Sequence, residues 1–188
     1  HDFCFGKDAA GNYDFLLEMA PRHGFEVLQT PQVVIQGERV SSTLIREYIV
    51  QGELEAVEPF LGRKYSIVGE VIPGRGMGVK LGFPTANIEP HHNAVPAHGV
   101  YAAEALLDNR RHLAAVNIGV APTIRHEDVT IEAHLLDFQG SIVGQPVEII
   151  FHKRLRPEKK FPSKDALIQS IADDIAEIRY FFEERESR

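Results

Sequence analysis

The stretch KYSIVGEVIPGRGMGVKLGFPTANIEP, residues 64–90, joins an apolar run to an extended polar segment through a loop dense in glycine. Its first part, residues 64–72, alternates apolar and polar side chains in part, which is typical of a strand with one buried face. Its last part follows Pro84, whose ring fixes one backbone angle and holds the segment in place. The stretch therefore predicts a glycine-rich hairpin between two strands.

Four further runs of the same kind follow, separated by clusters of glycine, proline and asparagine. They are GVYAAEALL (99–107), HLAAVNIGV (112–120), VTIEAHLLDF (129–138) and PVEIIFHKRL (146–155). Several short strands in succession favour an antiparallel sandwich or closed barrel over βαβ units.

The sequence then ends in a predicted helix, FPSKDALIQSIADDIAEIRYFFEE (161–184), with Ser163 as its N-cap. Its apolar residues recur at helical spacing and form one stripe: Leu167, Ile171, Ile175, Ile178 and Phe182. We expect this stripe to cover one side of the barrel.

Residues 1–62 have a different sequence pattern, which indicates mixed α/β structure. A helix is predicted at 14–20, stopped by Pro21 and Gly24, and FEVLQT (25–30) reads as a strand. Two more helices are predicted in VSSTLIREYIVQG (40–52) and ELEAVEPFLG (53–62), each ending at its glycine. This order suggests half of a parallel sheet and two domains, 1–62 and 63–188.

Composition excludes several classes of protein. The net charge of −7 argues against binding to nucleic-acid phosphate or anionic lipid, and no apolar run is long enough to span a bilayer. With Cys4 alone there is no internal disulfide, which favours the cytoplasm. The basic run HKRLRPEKK (152–160) reads either as a solvated edge or as an anion-facing segment. The histidines show no metal-binding spacing.

The glycine-rich loop is the first candidate site. Its glycines alternate with other residues and allow backbone N–H groups to approach a phosphate closely; with the lysine among them they are Gly74, Gly76, Gly78, Lys80 and Gly82. The loop lacks the P-loop pattern, since Leu81 stands where serine or threonine is needed. A mobile loop without a ligand is the alternative interpretation.

Thr85 and Asn87 lie two residues apart in an extended segment and therefore point the same way. Their oxygens suit Mg²⁺ that is already partly coordinated by nucleotide phosphates; the alternative is a local turn. In residues 129–138, strand alternation puts Glu132 and His134 on the face opposite the core. Glu132 is thus a candidate general base, the alternative being an ordinary surface carboxylate.

Four motifs in order resemble the riboflavin kinase family, from about residue 61 to the C-terminal helix: LGFPTANI (81–88), NIGVAPT (117–123), IEAHLLDF (131–138) and LRPEKKFPS (155–163). The resemblance implies a six-stranded Greek-key barrel that phosphorylates the riboflavin 5′-hydroxyl with Mg-ATP, giving FMN.

The same resemblance assigns roles to single residues. The Mg²⁺-binding pair of the family falls on Thr85 and Asn87, and its catalytic base falls on Glu132. The glycine loop would lie over the ATP phosphates. Arg156 and Glu158 match the mobile loop that closes on the flavin side.

Upstream motifs resemble the adenylyltransferase module of bifunctional bacterial riboflavin kinase/FAD synthetases, a Rossmann-like nucleotidyltransferase. Residues similar to its flavin-side motif and to its ATP-phosphate motif are, in chain order, Asp2, Phe3, Phe5, Ser41, Ser42, Thr43 and Arg46. The N-terminal His-x-Gly-His element of that module is absent from this sequence. We therefore expect a fragment of a longer protein that keeps the kinase activity and lacks FAD synthesis.

The rival class is a non-catalytic β-barrel module that binds RNA or protein. Such barrels interleave aromatic with basic residues along their strands. Here the strands are aliphatic, and aromatic residues concentrate at Tyr180, Phe181 and Phe182 of the last helix. The expected partners are the small molecules riboflavin and ATP, with no nucleic acid, membrane or obligate protein partner.

Overall fold

The structure is a computed structural model that describes residues 3–91, 94–122 and 127–186. Its contacts divide the chain into two compact units, His1–Arg39 and Val40–Arg188. Helices α2 (Ser42–Gln51) and α3 (Leu54–Leu61) belong to the second unit. The domain boundary between residues 62 and 63 stays a prediction.

The first unit contains a 3₁₀ turn at Lys7–Ala9, helix α1 (Tyr13–His23) and a small hairpin of β1 (Val34–Ile35) and β2 (Glu38–Arg39). The predicted helix and its stop at Gly24 are confirmed, but the helix continues through Pro21. The predicted strand at 25–30 is wrong, because these residues have no strand partner within the described part of this unit. The half of a parallel sheet is likewise not formed there, since β1 and β2 pair antiparallel.

Helices α2 and α3 confirm the two predicted helices and their stops. The Ser41 hydroxyl accepts a hydrogen bond from the Leu44 N–H at 3.2 Å, which caps α2, and α2 ends at Gly52. Helix α3 ends at Gly62. Ile49, Leu54 and Val57 bury apolar side chains from these helices in the same core as the barrel.

The barrel has six strands: β3 (Ser66–Ile72), β4 (Ala86–Pro90), β5 (Gly99–Leu107), β6 (Arg110–Pro122), β7 (Glu127–Leu135) and β8 (Pro146–Arg156). They close antiparallel in the order β3-β4-β7-β6-β5-β8. The neighbours β8-β5-β6-β7 have the 4-1-2-3 order of a Greek key. The predicted closed barrel is confirmed, and the Pro-Thr-Ala-Asn segment leads into β4.

The barrel interior is filled with aliphatic and aromatic side chains, of which Tyr101, Phe151 and Ile67 are among the largest that are fully buried. A short helix, α4 (Met77–Leu81), lies within the glycine-rich connection between β3 and β4.

Helix α5 (Lys164–Glu186) covers the outside of the barrel as predicted. The Ser163 hydroxyl accepts from the Ala166 N–H at 3.2 Å and caps it. Ile178 is buried against Ala102 and Leu136, with Ile175 and Phe182 beside it. The buried face of α5 also carries the polar residues Ser170 and Asp174.

Candidate active site

Three polar residues lie side by side on adjacent strands of the barrel. In the strand register Glu132 of β7 is directly opposite Asn87 of β4 on one side and Asn117 of β6 on the other. Side chains that are opposed in this way point to the same face, with Cβ atoms roughly 4.5–5.5 Å apart. The Glu132 carboxylate therefore stands between two side-chain amides.

This row is on the outer face of the barrel. The residues that flank it along each strand, such as Ile88 and Ile131, are buried in the interior core. Strand alternation then directs Asn87, Glu132 and Asn117 outward, where each is half-buried. The predicted outward position of Glu132 is confirmed.

The segment before β4 is fixed by a histidine of β7. His134 Nδ1 donates a hydrogen bond to the Pro84 carbonyl oxygen at 2.8 Å, and the His134 ring meets the edge of Phe83 at 5.7 Å between centroids. His134 is two residues beyond Glu132, so both project from the same face of β7. Thr85, which follows Pro84, is thus anchored beside the strand that carries Glu132.

The glycine-rich loop packs directly on Thr85 and Asn87. A Cβ atom at Gly78 would lie 2.8 Å from Thr85 Oγ1 and would also collide with the Phe83 carbonyl. A Cβ atom at Gly74 would collide with the Asn87 side-chain amide. These two glycines are needed for the close approach of the loop to the two candidate metal ligands.

The rest of the loop surrounds α4. Gly76 and Gly82 flank this helix with left-handed backbones, and Lys80 lies within it. Lys164, the first residue of α5, donates from Nζ to the Lys80 carbonyl at 3.4 Å. The loop is therefore held against both the β4 entrance and the start of α5.

A cavity of about 480 Å³ opens beside this loop. Its lining includes Gly74 and Thr85 together with the apolar side chains of Val71, Ala133, Leu135 and Phe138. A volume of this size suits a small molecule, and the mixture of apolar walls with a few polar groups is typical of ligand sites.

Arg156 and Glu158 lie at the end of β8 and in the β8–α5 connection (157–163). Arg156 is opposite Val100, which is itself opposite Asn117, so Arg156 extends the cross-strand row of Glu132. The Glu158 carboxylate lies against Gly119, where Oε1 would be 2.5 Å from an added Cβ. The structure thus places both residues toward one end of the row that contains Glu132.

The residues similar to an adenylyltransferase site are distributed over both units. Asp2 is outside the described residues. Phe3 and Phe5 belong to the first unit, where their rings stack at 5.5 Å. The others, Ser41, Ser42, Thr43 and Arg46, lie at the start of α2 in the second unit. Their role in nucleotide binding stays a prediction.

Within residues 3–91, 94–122 and 127–186, no group of three or more histidine, cysteine, aspartate or glutamate residues could hold a metal ion. No helix in the described part of the chain is long and apolar enough to cross a membrane.

Sequence reasoning missed three functional candidates. Asn117 begins the NIGVAPT motif, but its position beside Glu132 depends on the register of β6 against β7. His134 was placed on the correct face without its bond to Pro84. Asp174, the partner of Arg156, interrupts the apolar stripe of α5 and is nevertheless buried. A buried carboxylate in such a stripe is the signal that could have found it.

The chain is similar to several known proteins. The family model described as flavokinase, riboflavin kinase, matches residues 61–182. A bifunctional riboflavin kinase/FMN adenylyltransferase from Pseudomonas fluorescens is 37% identical over 179 residues, covering 95% of this chain and 58% of that protein. Its counterpart from Haemophilus influenzae is 40% identical over 182 residues, covering 96% and 59%.

A crystal structure of a macrolide-efflux protein from Streptococcus pneumoniae is similar over 95% of this chain and 58% of that one. The TM-score is 0.79 at 28% sequence identity. The chain therefore spans less than two thirds of the length of the relatives it matches.

Proposed function

The chain belongs to the riboflavin kinase family, and on that premise we propose that it transfers the γ-phosphoryl group of ATP to the riboflavin 5′-hydroxyl. The observation that carries this proposal is the register of Asn87, Glu132 and Asn117 on one outer face, with Thr85 and the glycine loop beside them. This arrangement brings together a base (Glu132), oxygen ligands for a cation (Thr85 and Asn87) and, at the glycine loop, a space for phosphates.

Glu132 is the base in this proposal. Its carboxylate accepts the proton of the 5′-hydroxyl as the hydroxyl oxygen bonds to the γ-phosphorus, and the bond from that phosphorus to the ADP oxygen breaks. The products are FMN and ADP. Asn87 and Asn117 flank this residue on the two adjacent strands.

The donor set fits Mg²⁺ bound together with a nucleotide. Thr85 Oγ1 and the Asn87 side-chain oxygen are hard donors, and Gly74 and Gly78 place no side chain against them. When bound, the cation would neutralise charge on the phosphates. Thr85 and Asn87 would hold it, while the glycine loop excludes water from the phosphate side.

The two substrates take different sides of this row. We place the adenine of ATP in the cavity between the glycine loop and Phe138, because Thr85 is one of the residues that line this cavity. We place riboflavin toward the β8–α5 connection, where Arg156 and Glu158 lie.

The cytoplasm is the compartment we propose, since both substrates and the lone Cys4 suit a reducing environment.

The family match favours this enzyme over a non-catalytic binding barrel. The decisive experiment incubates the purified chain with γ-labelled ATP and riboflavin, with and without Mg²⁺, and separates FMN by chromatography. Labelled FMN that requires Mg²⁺ supports the proposal. Unlabelled flavin together with tight single-stranded RNA binding would support the rival.

The relatives are also named for FMN adenylyltransferase activity. We propose that this chain does not form FAD, because its sequence contains no His-x-Gly-His element. The same assay with FMN and ATP checks this, and FAD formed by the purified chain would contradict it.

A further inference from the structure

Arg156, the last residue of β8, is held by a carboxylate from the covering helix. Its Nε lies 2.9 Å from Asp174 Oδ1, and its Nη2 lies 2.7 Å from Asp174 Oδ2. Asp174 is only 7% exposed. A bidentate ion pair of this kind fixes the plane of the guanidinium as well as its position.

The same guanidinium also contacts the β8–α5 connection. Arg156 Nη1 donates to the Pro157 carbonyl at 3.3 Å, and its central carbon lies 5.6 Å from the centre of the Phe161 ring. Arg156 therefore links Pro157 and Phe161 of this connection to Asp174 of α5. One buried carboxylate thus holds a side chain that contacts the connection at two points.

That path brings Glu158 to the active-site row. The Glu158 carboxylate lies against Gly119, and the Asn117 amide is 3.4 Å from the same added-Cβ position at Gly119. Asn117 is the register partner of Glu132. Arg156 contacts Pro157, the residue before Glu158, so the contacts that begin at Asp174 lead toward Asn117, the strand neighbour of the candidate base.

We propose that Asp174 is a positioning residue for the flavin side of the site, an inference that rests on the proposed function. By holding Arg156, it keeps the β8–α5 connection in place before substrate binds. Asp174 acts through Arg156 and needs no contact with substrate. Its loss is expected to weaken the use of riboflavin selectively and to leave the ATP side unchanged.

The test compares Asp174→Asn with Glu177→Gln. Glu177 is three residues further along α5 and pairs with Lys153 of β8 at 3.2 Å, so the control removes an ion pair between the same two elements. We expect Asp174→Asn to raise KM for riboflavin by roughly tenfold to a hundredfold with little change in KM for ATP. Glu177→Gln is expected to leave both values unchanged. Equal rises for the two substrates, or no rise for riboflavin, would overturn the proposal.

A second measurement does not depend on activity. Lys159 and Lys160 are exposed in the β8–α5 connection, so trypsin cleavage there reports how firmly the connection is held. Asp174→Asn is expected to be cleaved there faster than the unmodified chain and Glu177→Gln, as followed by mass spectrometry. An unchanged cleavage rate would contradict the positioning role, even for a chain without kinase activity.

If Asp174→Asn does not fold, as judged by circular dichroism, Arg156→Lys decides the matter. Lysine keeps the positive charge but cannot form the bidentate contact with Asp174, so the same selective rise in KM for riboflavin is expected. A rise absent from Arg156→Lys would overturn the proposal. An unmodified chain that produces no FMN would instead refute the proposed function, and the cleavage experiment would still judge Asp174.

Discussion

Asn87 and Glu132 lie directly opposite each other on β4 and β7. One residue is a candidate ligand for the cation and the other is the candidate base, and they come from segments 45 positions apart in the sequence (132 − 87). The closed barrel is what makes them neighbours. Cation binding and proton acceptance are consequently expected at one place on the outer face.

The first prediction concerns the hydroxyl of Thr85. Thr85→Val keeps the shape of the side chain and removes one oxygen donor, so the Mg²⁺ concentration at half-maximal rate should rise by roughly tenfold or more. Thr30→Val, an exposed position in the first unit, is the control and should leave it unchanged. A Mg²⁺ titration of FMN formation measures both. An unshifted midpoint for Thr85→Val would remove Thr85 as a ligand.

The second prediction concerns the space above the cation ligands. In Gly78→Ala the new methyl group would meet Thr85 Oγ1 and the Phe83 carbonyl, so the loop must move away from them. We expect KM for ATP to rise by about tenfold or more, because displaced positioning groups commonly cost this much. Met77→Ala, in the same short helix and exposed, serves as the control. Steady-state kinetics at varied ATP would show an unchanged KM if the close approach were unimportant.

The third prediction concerns His134, whose ring donates to the Pro84 carbonyl. His134→Ala should lower FMN formation by up to about tenfold, the equivalent of one hydrogen bond of ~1.4 kcal/mol. His134→Asn places an N–H donor near the position of Nδ1 and should recover part of the loss. Equal rates for the alanine and asparagine variants would show that the bond does not position Thr85.

The fourth prediction concerns stability and pH. Burial lowers the pKa of His152 below its ordinary value of 6.5, with Lys64 and Arg185 acting in the same direction and the Glu104 carboxylate opposing them. The unfolded chain therefore binds more protons than the folded chain between the lowered pKa and 6.5. Stability should fall as the pH falls through this window.

Denaturant unfolding at a series of pH values from about 7 to about 5 tests this expectation. His152→Gln should flatten the decline of the unfolding free energy in this range. His23→Gln, an exposed histidine of the first unit, should retain it. A decline that is the same in all three proteins would exclude His152 as its source.

The sequence predicted most of the barrel because its strands alternate and are separated by turn residues. Five runs correspond to five strands, and the extended Pro-Thr-Ala-Asn segment leads into β4. The failures have local causes. Residues 25–30 have a strand-like pattern but lack a strand partner. Helix α4 was not predicted because the glycines in and around it are typical of a loop. The predicted stop at Pro21 fails because α1 runs on through this proline to His23.

The candidate site was predictable only in part. Alternation along β7 places Glu132 outside the core, but it says nothing about which residue of another strand lies opposite. The neighbours Asn87 and Asn117 follow from register, which is a property of the closed barrel. Asp174 follows from a contact between β8 and α5, and no pattern within either element pairs it with Arg156.

The most direct test of the central claim is the turnover of Glu132→Gln with riboflavin and Mg-ATP. Glutamine keeps the size of the side chain and cannot accept the proton, so kcat should fall by ~10²–10⁴ while riboflavin binding, followed by flavin fluorescence, is retained. Glu89→Gln, an exposed carboxylate on the adjacent strand β4, should keep the kcat of the unmodified chain. A Glu132→Gln protein that turns over as fast as the unmodified chain would contradict the account.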